Sequence, residues 1–313
     1  MSTPPPSRPL LARLFLSPEA PTRLRTGWRL ALHSVGTLAL ILLAAVPVGL
    51  GLFVWMSLTG AGPAIDSPPL LLAFSLSSLV AITLSTFAAR RLLDRRSFRS
   101  LGLRLDRRAR SDLALGFGIS GLQFACVYAA MGAAGWIRFE GFAWEIAGWG
   151  PALAGLAIGW ALHASVGFQE EVLSRGYHLQ NLAGALGLPW AIVLSSAVFS
   201  LLHLANPGAG LPSVLGIFGA GLFLAYGWVR TRQLWLPIGL HAGWNFFQGP
   251  VFGFPVSGMA MERLVHHTVE GPAAITGGAF GPEAGLIVVP TLLFGAALVA
   301  WATRGRLSEP SES

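Results

Sequence analysis

Apolar runs long enough to cross a lipid bilayer recur along this chain, and they constrain its fold more than any other feature. A transmembrane helix needs about 20 mostly apolar residues and satisfies its backbone hydrogen bonds within itself. Of the 313 residues, 53% are hydrophobic and only 11% are charged. The sequence therefore predicts an all-α, polytopic transmembrane helical bundle. About eight spans are expected, at residues 29–57, 69–89, 113–137, 151–174, 189–206, 211–229, 234–254 and 284–303.

Arginine supplies the positive side-chain charge, since the chain contains no lysine and carries a formal net charge of +7. The arginines flank alternate ends of the apolar runs, and nine of them lie between residues 90 and 111. This distribution follows the positive-inside rule and predicts that both termini are cytoplasmic. It accounts for the net charge without a nucleic-acid partner. We expect an integral, multi-pass membrane protein, located in the plasma membrane if the source is bacterial.

The bundle is predicted to occupy residues 27–305, between two polar tails. Residues 1–26 are rich in proline and arginine, and we expect them to form a disordered cytoplasmic tail. Residues 306–313 are polar and are expected to be disordered as well. The segment 255–283 contains glycine and proline and is expected to be an outer loop.

Ionisable side chains inside the predicted spans are the main functional signal. A charged residue at the centre of a membrane helix costs about 2.5 to 3.5 kcal/mol on insertion scales, so such residues are functional candidates. All but one of them lie between positions 163 and 245. The set within or near the spans is His33, His163, Glu170, Glu171, Arg175, His203 and His241, together with the amide Asn245.

The segment GFQEEVLSRGYH, residues 167–178, places two adjacent glutamates before an arginine. Glu171 and Arg175 are four residues apart, so they share a helix face and can form an ion pair. Glu170 is rotated from Arg175 by about 140° on a 3.6-residue period. A carboxylate left unpaired in an apolar cavity suits a general base. The structural alternative is an ion cluster at the membrane surface.

Two further spans carry polar residues at helical spacing. Phe199 and His203 are four residues apart in the fifth span, and His241 and Asn245 are four apart in the seventh. A His–Asn pair of donors directed at one point can stabilise an oxyanion. Taken singly, each residue is better explained by packing or by an interhelical hydrogen bond. Because three separate spans contribute such groups, we expect one shared site.

The ordered pattern of these residues resembles the CAAX protease and bacteriocin-processing family, which includes Rce1-type CAAX prenyl endopeptidases and bacterial Abi-type membrane proteins. The pattern is Glu-Glu-x-x-x-Arg, then Phe-x-x-x-His, then His-x-x-x-Asn, and it covers residues 150–250. Ser174 stands where an aromatic residue is frequent in the family. This departure affects packing more than chemistry.

The resemblance implies an intramembrane endopeptidase that hydrolyses a peptide bond of a membrane-associated or prenylated protein. It implies that Glu170 and His203 activate a water molecule, and that His241 and Asn245 stabilise the oxyanion. Glu171, Arg175 and Phe199 would support them. The implied partner is a lipidated or transmembrane peptide, and no cofactor is expected. The sequence indicates no oligomeric state.

The predicted depths of these residues do not coincide. With a helical rise of 1.5 Å per residue, Glu170 lies about 6 Å from the predicted cytoplasmic surface, His241 about 11 Å and His203 about 21 Å. Straight, perpendicular helices cannot bring them together. We therefore expect the fourth span to continue past Arg175, and the fifth to be tilted, shifted or cut short at Asn206-Pro207.

Three alternatives stay open at this stage. Glutamates and histidines can bind a divalent metal such as zinc, although the chain has no His-Glu-x-x-His motif. Gly118 to Gly121 read GISG and resemble the nucleophile motif of rhomboid proteases, with Ser120 as the nucleophile. The same polar core would also suit a transporter or a non-catalytic scaffold or immunity protein.

Overall fold

A computed structural model describes residues 10–17, 22–60 and 67–306. The helices in these ranges are α1 (Leu10–Phe15), α2 (Thr26–Thr59), α3 (Pro68–Leu92), α4 (Arg107–Ala133), α5 (Ala143–Ile146), α6 (Trp149–Glu171), α7 (Leu179–Leu186), α8 (Leu188–Leu202), α9 (Leu211–Thr231), α10 (Trp235–Phe246), α11 (Ala273–Thr276) and α12 (Val288–Ala302). Two π-helical segments, Val172–His178 and Phe247–Val251, follow α6 and α10. Two short strands are β1 (Ile137–Phe142) and β2 (Val265–Val269).

The predicted all-α, multi-pass architecture is confirmed. In the part of the chain that the structure describes, six helices are long and apolar enough to cross a bilayer. They correspond to the first six predicted spans. The last two predicted spans are also helical, but α10 and α12 are shorter, with 12 and 15 residues. The number of spans and the side of the termini stay predictions.

Helix α10 is the central element of the bundle. It packs against α4, α6 and α9, while α3 packs on the other side of α6 and α2 packs on α3. Most of α2 is exposed, and its outward leucines are suited to contact lipid. Helix α12 packs against α9 and α4, and α8 packs against α9. The helix that carries the last motif of the predicted pattern, His241 and Asn245, therefore lies at the core.

The fourth predicted span continues past Arg175, as expected from the depth argument. Helix α6 leads directly into the π-helical segment Val172–His178 and then into α7. The fifth span ends at Leu202, and a single 3₁₀ turn, His203–Ala205, precedes the break at Asn206. Both adjustments alter the depth of the site residues, and π-helical turns are frequent at functional sites.

Helix boundaries differ from the hydropathy limits where a capping residue decides them. Helix α4 begins at Arg107, six residues before the predicted span, because the Asp106 carboxylate accepts a 2.8 Å hydrogen bond from the Ala109 amide. The helix ends at Ala133 because Gly135 adopts a left-handed conformation with φ of +71°. A hydropathy window locates the apolar centre of a helix but does not detect its polar first turn.

The connecting segments contain more structure than the sequence predicts. Strands β1 and β2 pair antiparallel, with Phe139 opposite His267 and a bulge between Phe139 and Gly141. The predicted loop 255–283 contains β2, α11 and a 3₁₀ turn at Gly278–Phe280. These elements satisfy backbone groups that an irregular loop would leave unpaired beside the bundle.

Within the tail predicted over residues 1–26, the described residues form local structure. Leu10–Phe15 forms α1, and the Ser17 amide donates to the Arg23 carbonyl at 2.8 Å. The Phe15 ring stacks on Trp28, with 5.0 Å between ring centres, which attaches α1 to the start of α2. Residues 1–9, 18–21 and 307–313 lie outside the described residues, and disorder there stays a prediction.

A buried charge network joins α2 to α3 and α7. The Arg29 guanidinium donates to Asp94 and to the Asn181 amide oxygen, and Arg90 donates to the other Asp94 oxygen at 2.9 Å. Each of these side chains is almost completely buried. Separating α2 from the bundle would leave buried charges without their partners, which is strongly destabilising. The network therefore holds α2, which is otherwise peripheral, against the bundle.

Two glycines of α4 provide a test of the central packing. A Cβ atom at Gly116 would lie 2.5 Å from the Leu236 carbonyl oxygen of α10, whereas a Cβ atom at Gly118 would meet no atom within 4 Å. We predict that Gly116→Ala destabilises the protein by about 2 kcal/mol through overpacking. Gly118→Ala should cause no loss, since alanine is the better helix former. Thermal unfolding in detergent micelles measures both, and equal behaviour of the two variants would contradict the packing.

Candidate active site

The Glu171 carboxylate is the centre of the polar cluster in the bundle. It is completely buried, and its Oε1 atom accepts hydrogen bonds from Arg175 Nη1 at 2.8 Å and from His241 Nδ1 at 2.9 Å. The bond to Arg175 forms as the four-residue spacing predicts. The bond to His241 was not predicted, because it joins α10 to the end of α6 across 70 residues of sequence.

Close contact between α6 and α10 makes the bond to His241 possible. Gly167 faces Ala242, and a Cβ atom at Gly167 would lie 2.8 Å from the Ala242 backbone nitrogen. The absent side chain lets the two helix backbones approach each other. Gly167 precedes the two glutamates by one helical turn, and Ala242 follows His241 directly. The small residue thus brings the polar groups of both helices into hydrogen-bonding distance.

Arg175 is fully buried and is held from three sides. Besides its bond to Glu171, its Nη2 atom donates to the Gly221 carbonyl of α9 at 3.0 Å. Its guanidinium carbon lies 4.3 Å from the centre of the Phe199 ring of α8. The Phe199 ring also contacts His203 and His241, with ring centres 4.9 Å and 5.9 Å apart. Phe199 therefore packs the ion pair against both histidines.

Glu170 has a different environment from its neighbour. Its Oε2 atom lies 3.7 Å from His241 Nε2, and this buried oxygen has no hydrogen-bond partner among the described residues. The Glu170 side chain is 28% exposed, whereas that of Glu171 is 0% exposed. The structure thus separates the two glutamates as the helix geometry predicts: Glu171 is engaged in a buried pair and Glu170 faces a cavity.

That cavity has a volume of about 380 Å³ and is lined by Glu170, His203, His241 and Asn245. The size is within the range of ligand-binding pockets. Its remaining wall is mainly apolar, and the helices α2 and α3 contribute Ile41, Leu71 and Ile82. The four residues of the predicted catalytic set therefore reach one cavity from three separate helical segments.

The histidine tautomers follow from their hydrogen bonds. His203 Nδ1 lies 2.8 Å from the Phe199 carbonyl oxygen, which can only accept, so Nδ1 carries a proton and Nε2 of the neutral ring is a free acceptor. His241 Nδ1 likewise donates to the Glu171 carboxylate. His241 can then donate from Nε2 only when the ring is doubly protonated. Glu170 Oε2 lies 3.7 Å from Nε2, which is beyond hydrogen-bonding distance.

Asn245 lies one turn after His241, is 7% exposed and lines the same cavity. The described part of the chain forms no hydrogen bond to its side-chain amide. The amide is therefore able to donate to a group bound in the cavity.

Two further ionisable residues line the cavity but were not assigned to the site from sequence. His163 precedes Glu170 by seven residues, which places both on one face of α6, and neither of its ring nitrogens has a hydrogen-bond partner among the described residues. That spacing is a signal from which its position could have been inferred. Glu283 comes from the turn before α12, and no sequence pattern connects it with the site.

Ser120 is not among the residues that line the cavity. Its side chain is completely buried, and its hydroxyl donates a 2.7 Å hydrogen bond to the Leu240 carbonyl of α10. The GISG segment thus has a packing role between α4 and α10. The serine alternative has no support from this geometry, because the hydroxyl is not directed into a cavity that could hold a substrate.

The described residues also offer no arrangement that would hold a zinc ion. Catalytic zinc sites use three protein ligands, and within the described ranges no group of three or more His, Cys, Asp or Glu side chains is placed to bind a metal. The absence of a cofactor stays a prediction.

Comparison with known proteins agrees with the resemblance. Residues 152–247 match the family model described as type II CAAX prenyl endopeptidase, Rce1-like. This segment covers under a third of the chain and includes most of α6 and all of α7 to α10, with every residue of the predicted pattern. The match supports a protease. No curated protein and no solved structure matches the chain.

The contrast between the two glutamates gives a stability test. Glu171→Gln leaves Arg175 as a buried charge without a counterion, and we predict a loss of about 3–5 kcal/mol. Glu170→Gln removes no hydrogen bond and should change stability by less than about 1 kcal/mol. Both variants differ from the wild type by the same chemical change, so thermal unfolding in detergent compares them directly. A larger loss for Glu170→Gln would contradict the assignment of Glu171 to the buried pair.

Proposed function

We propose that this Rce1-like membrane protein is a glutamate-type intramembrane endopeptidase, with Glu170, His203, His241 and Asn245 as its catalytic residues. The observation that carries the proposal is the convergence of these side chains on one largely apolar cavity, where a Glu170 oxygen has no hydrogen-bond partner in the described part of the chain. Peptide hydrolysis needs a base for water and donors for the developing oxyanion. The cavity offers both kinds of group.

In the first step, Glu170 and His203 hold a water molecule between them. The lone pair on His203 Nε2 accepts a hydrogen bond from that water, which fixes its orientation. The water oxygen bonds to the carbonyl carbon of the substrate, and its proton passes to Glu170. The C–N bond then breaks, and Glu170 returns this proton to the leaving nitrogen. The second proton of the water passes to His203 as the product carboxylate forms.

The oxyanion is stabilised by His241 and Asn245. Asn245 donates from its free amide, and His241 donates from Nε2 in its doubly protonated form. Glu171 accepts from the other His241 nitrogen and holds the ring in place. The Glu171 carboxylate thus orients the His241 ring through Nδ1, on the side opposite the proposed donor Nε2. Arg175 and Phe199 act by keeping Glu171 and the two histidines in position.

The wall of the cavity and the family match both support a proposal for the substrate class. The cavity lies inside a bundle with lipid-facing helices, and Ile41, Leu71 and Ile82 give it an apolar side. Such a wall suits a peptide that arrives from the bilayer, either attached to a prenyl chain or as part of a transmembrane segment. The family description favours the prenylated cysteine of a C-terminal CAAX sequence.

A cleavage assay with paired peptides tests this function. The purified protein in liposomes is incubated with a quenched fluorescent peptide ending in a farnesylated CAAX sequence, and with the same peptide lacking the farnesyl group. We predict that Glu170→Ala and His203→Ala each lower kcat/KM by at least about 100-fold. Ser120→Ala should retain activity, because Ser120 serves helix packing.

The controls separate the alternatives. Retained cleavage in Glu170→Ala or His203→Ala would remove the basis of the mechanism. Lost cleavage in folded Ser120→Ala would restore the serine alternative. If a cellular phenotype of the wild type survives in both active-site variants, the protein acts as a scaffold or transporter and not as a protease.

Chelation distinguishes the glutamate mechanism from its zinc-dependent version. We predict that cleavage of the farnesylated peptide is unchanged, within about twofold, after treatment with 1,10-phenanthroline and dialysis. The matched control is the non-chelating isomer 1,7-phenanthroline. Activity that is lost with the chelator alone and restored by added zinc would overturn the metal-free mechanism.

A further inference from the structure

The turn before α12 inserts a buried carboxylate, Glu283, into the wall of the active-site cavity. Glu283 is 6% exposed and lies outside the segment that matches the family model. Its Oε2 atom accepts hydrogen bonds from the Ser257 amide at 2.7 Å and from the Ser257 hydroxyl at 3.0 Å, and its Oε1 atom accepts from Trp244 Nε1 at 3.2 Å. No cationic side chain of the described residues pairs with it.

Packing holds this turn against the end of α8. Phe199, Ile217 and Phe280 form one buried apolar cluster, against which Ala284 packs directly beside Glu283. A Cβ atom at Gly216 would lie 1.7 Å from the Glu283 carbonyl oxygen, so α9 approaches the turn as closely as a glycine allows. The Asn206 side chain, three residues after His203, donates to the Ser257 carbonyl at 3.1 Å. Glu283 and His203 thus line the same cavity, and their segments are connected through Ser257 and Asn206.

Two opposing effects act on the charge of Glu283. Burial raises the pKa of the Glu283 carboxyl above its ordinary value, and the hydrogen bonds from Ser257 and the nearby His203 reduce this increase without cancelling it. Each carboxylate oxygen accepts from a group that can only donate, the Ser257 amide or the Trp244 indole. A buried negative charge with no counterion is expensive to maintain, and such groups mark functional sites.

We propose that Glu283 is a positioning residue of this site, whose carboxylate fixes the wall around His203 and stabilises the positive charge that His203 acquires with the second proton of the water. The inference rests on the proposed function. The ionisable groups that share the cavity with His203 are Glu170, His163, His241 and Glu283. Of these four groups, Glu283 is the one that accepts hydrogen bonds from three donors. It has no role in the bond-breaking steps.

Two substitutions separate charge from structure. Glu283→Gln keeps the length of the side chain but removes its charge, whereas Glu283→Asp keeps the charge but shortens the side chain. We predict that Glu283→Gln lowers kcat by about 10- to 100-fold and leaves KM within about threefold. Glu283→Asp should retain more activity than Glu283→Gln, even where its melting temperature is lower. Glu270→Gln, on an exposed carboxylate at the end of β2, is the control and should match the wild type.

Each outcome decides the proposal. If kcat falls in parallel with melting temperature across the three variants, and Glu283→Asp is less active than Glu283→Gln, the role of Glu283 is structural. That result would overturn the proposal. If Glu283→Gln does not fold, Trp244→Phe takes its place, since it removes the donor to Oε1 and retains the aromatic packing. Unchanged kcat in both Glu283→Asp and Trp244→Phe would then overturn the proposal.

The parent function is measured separately, with wild type and Glu170→Ala in the same farnesylated-peptide assay. If the wild type cleaves and Glu170→Ala does not, while Glu283→Gln is as active as the wild type, only the inference about Glu283 fails. If wild type and Glu170→Ala are equally inactive, the proposed function fails.

Discussion

The buried Glu171 carboxylate is the interaction on which the rest of the site depends. One oxygen accepts from Arg175 on its own helical segment and from His241 on α10, and Arg175 in turn binds the Gly221 carbonyl of α9. Three helices are therefore connected through one ion pair. Charges inside a low-dielectric bundle interact strongly and tolerate little displacement. The pair consequently sets the positions of Glu170 and His241, which face the cavity.

The geometry of α6, which ends at a π-helical turn, explains how two adjacent glutamates reach different environments. Val172–His178 widens the helix directly after the glutamates, and Arg175 lies within it. Adjacent residues on a helix differ by about 100° in direction, so one carboxylate can face the core and the other the cavity. On the far side of the same segment, Tyr177 packs on His33 of α2, with ring centres 4.0 Å apart. The site is thereby joined to the charge network that holds α2.

The site also uses parts of the chain that lie outside the segment matched by the family model. The loop residue Ser257 and the turn residue Glu283 form one wall of the cavity, and Ile41 of α2 forms part of another. The flanking elements thus complete the cavity around the proposed site residues.

Apolar length and residue spacing were sufficient to predict the helical class, the approximate place of the apolar helices along the chain, and the Glu171–Arg175 pair. These are local properties, since they depend on residues within one or two turns of each other. The predicted pattern of seven site residues also follows from spacing along single helices. By contrast, the Glu171–His241 bond, the ordered α1 and the place of Glu283 depend on contacts between distant segments. Only the packing of α6, α8, α9 and α10 decides which side chains share a cavity, because helix periodicity fixes a face but not the neighbour that the face meets.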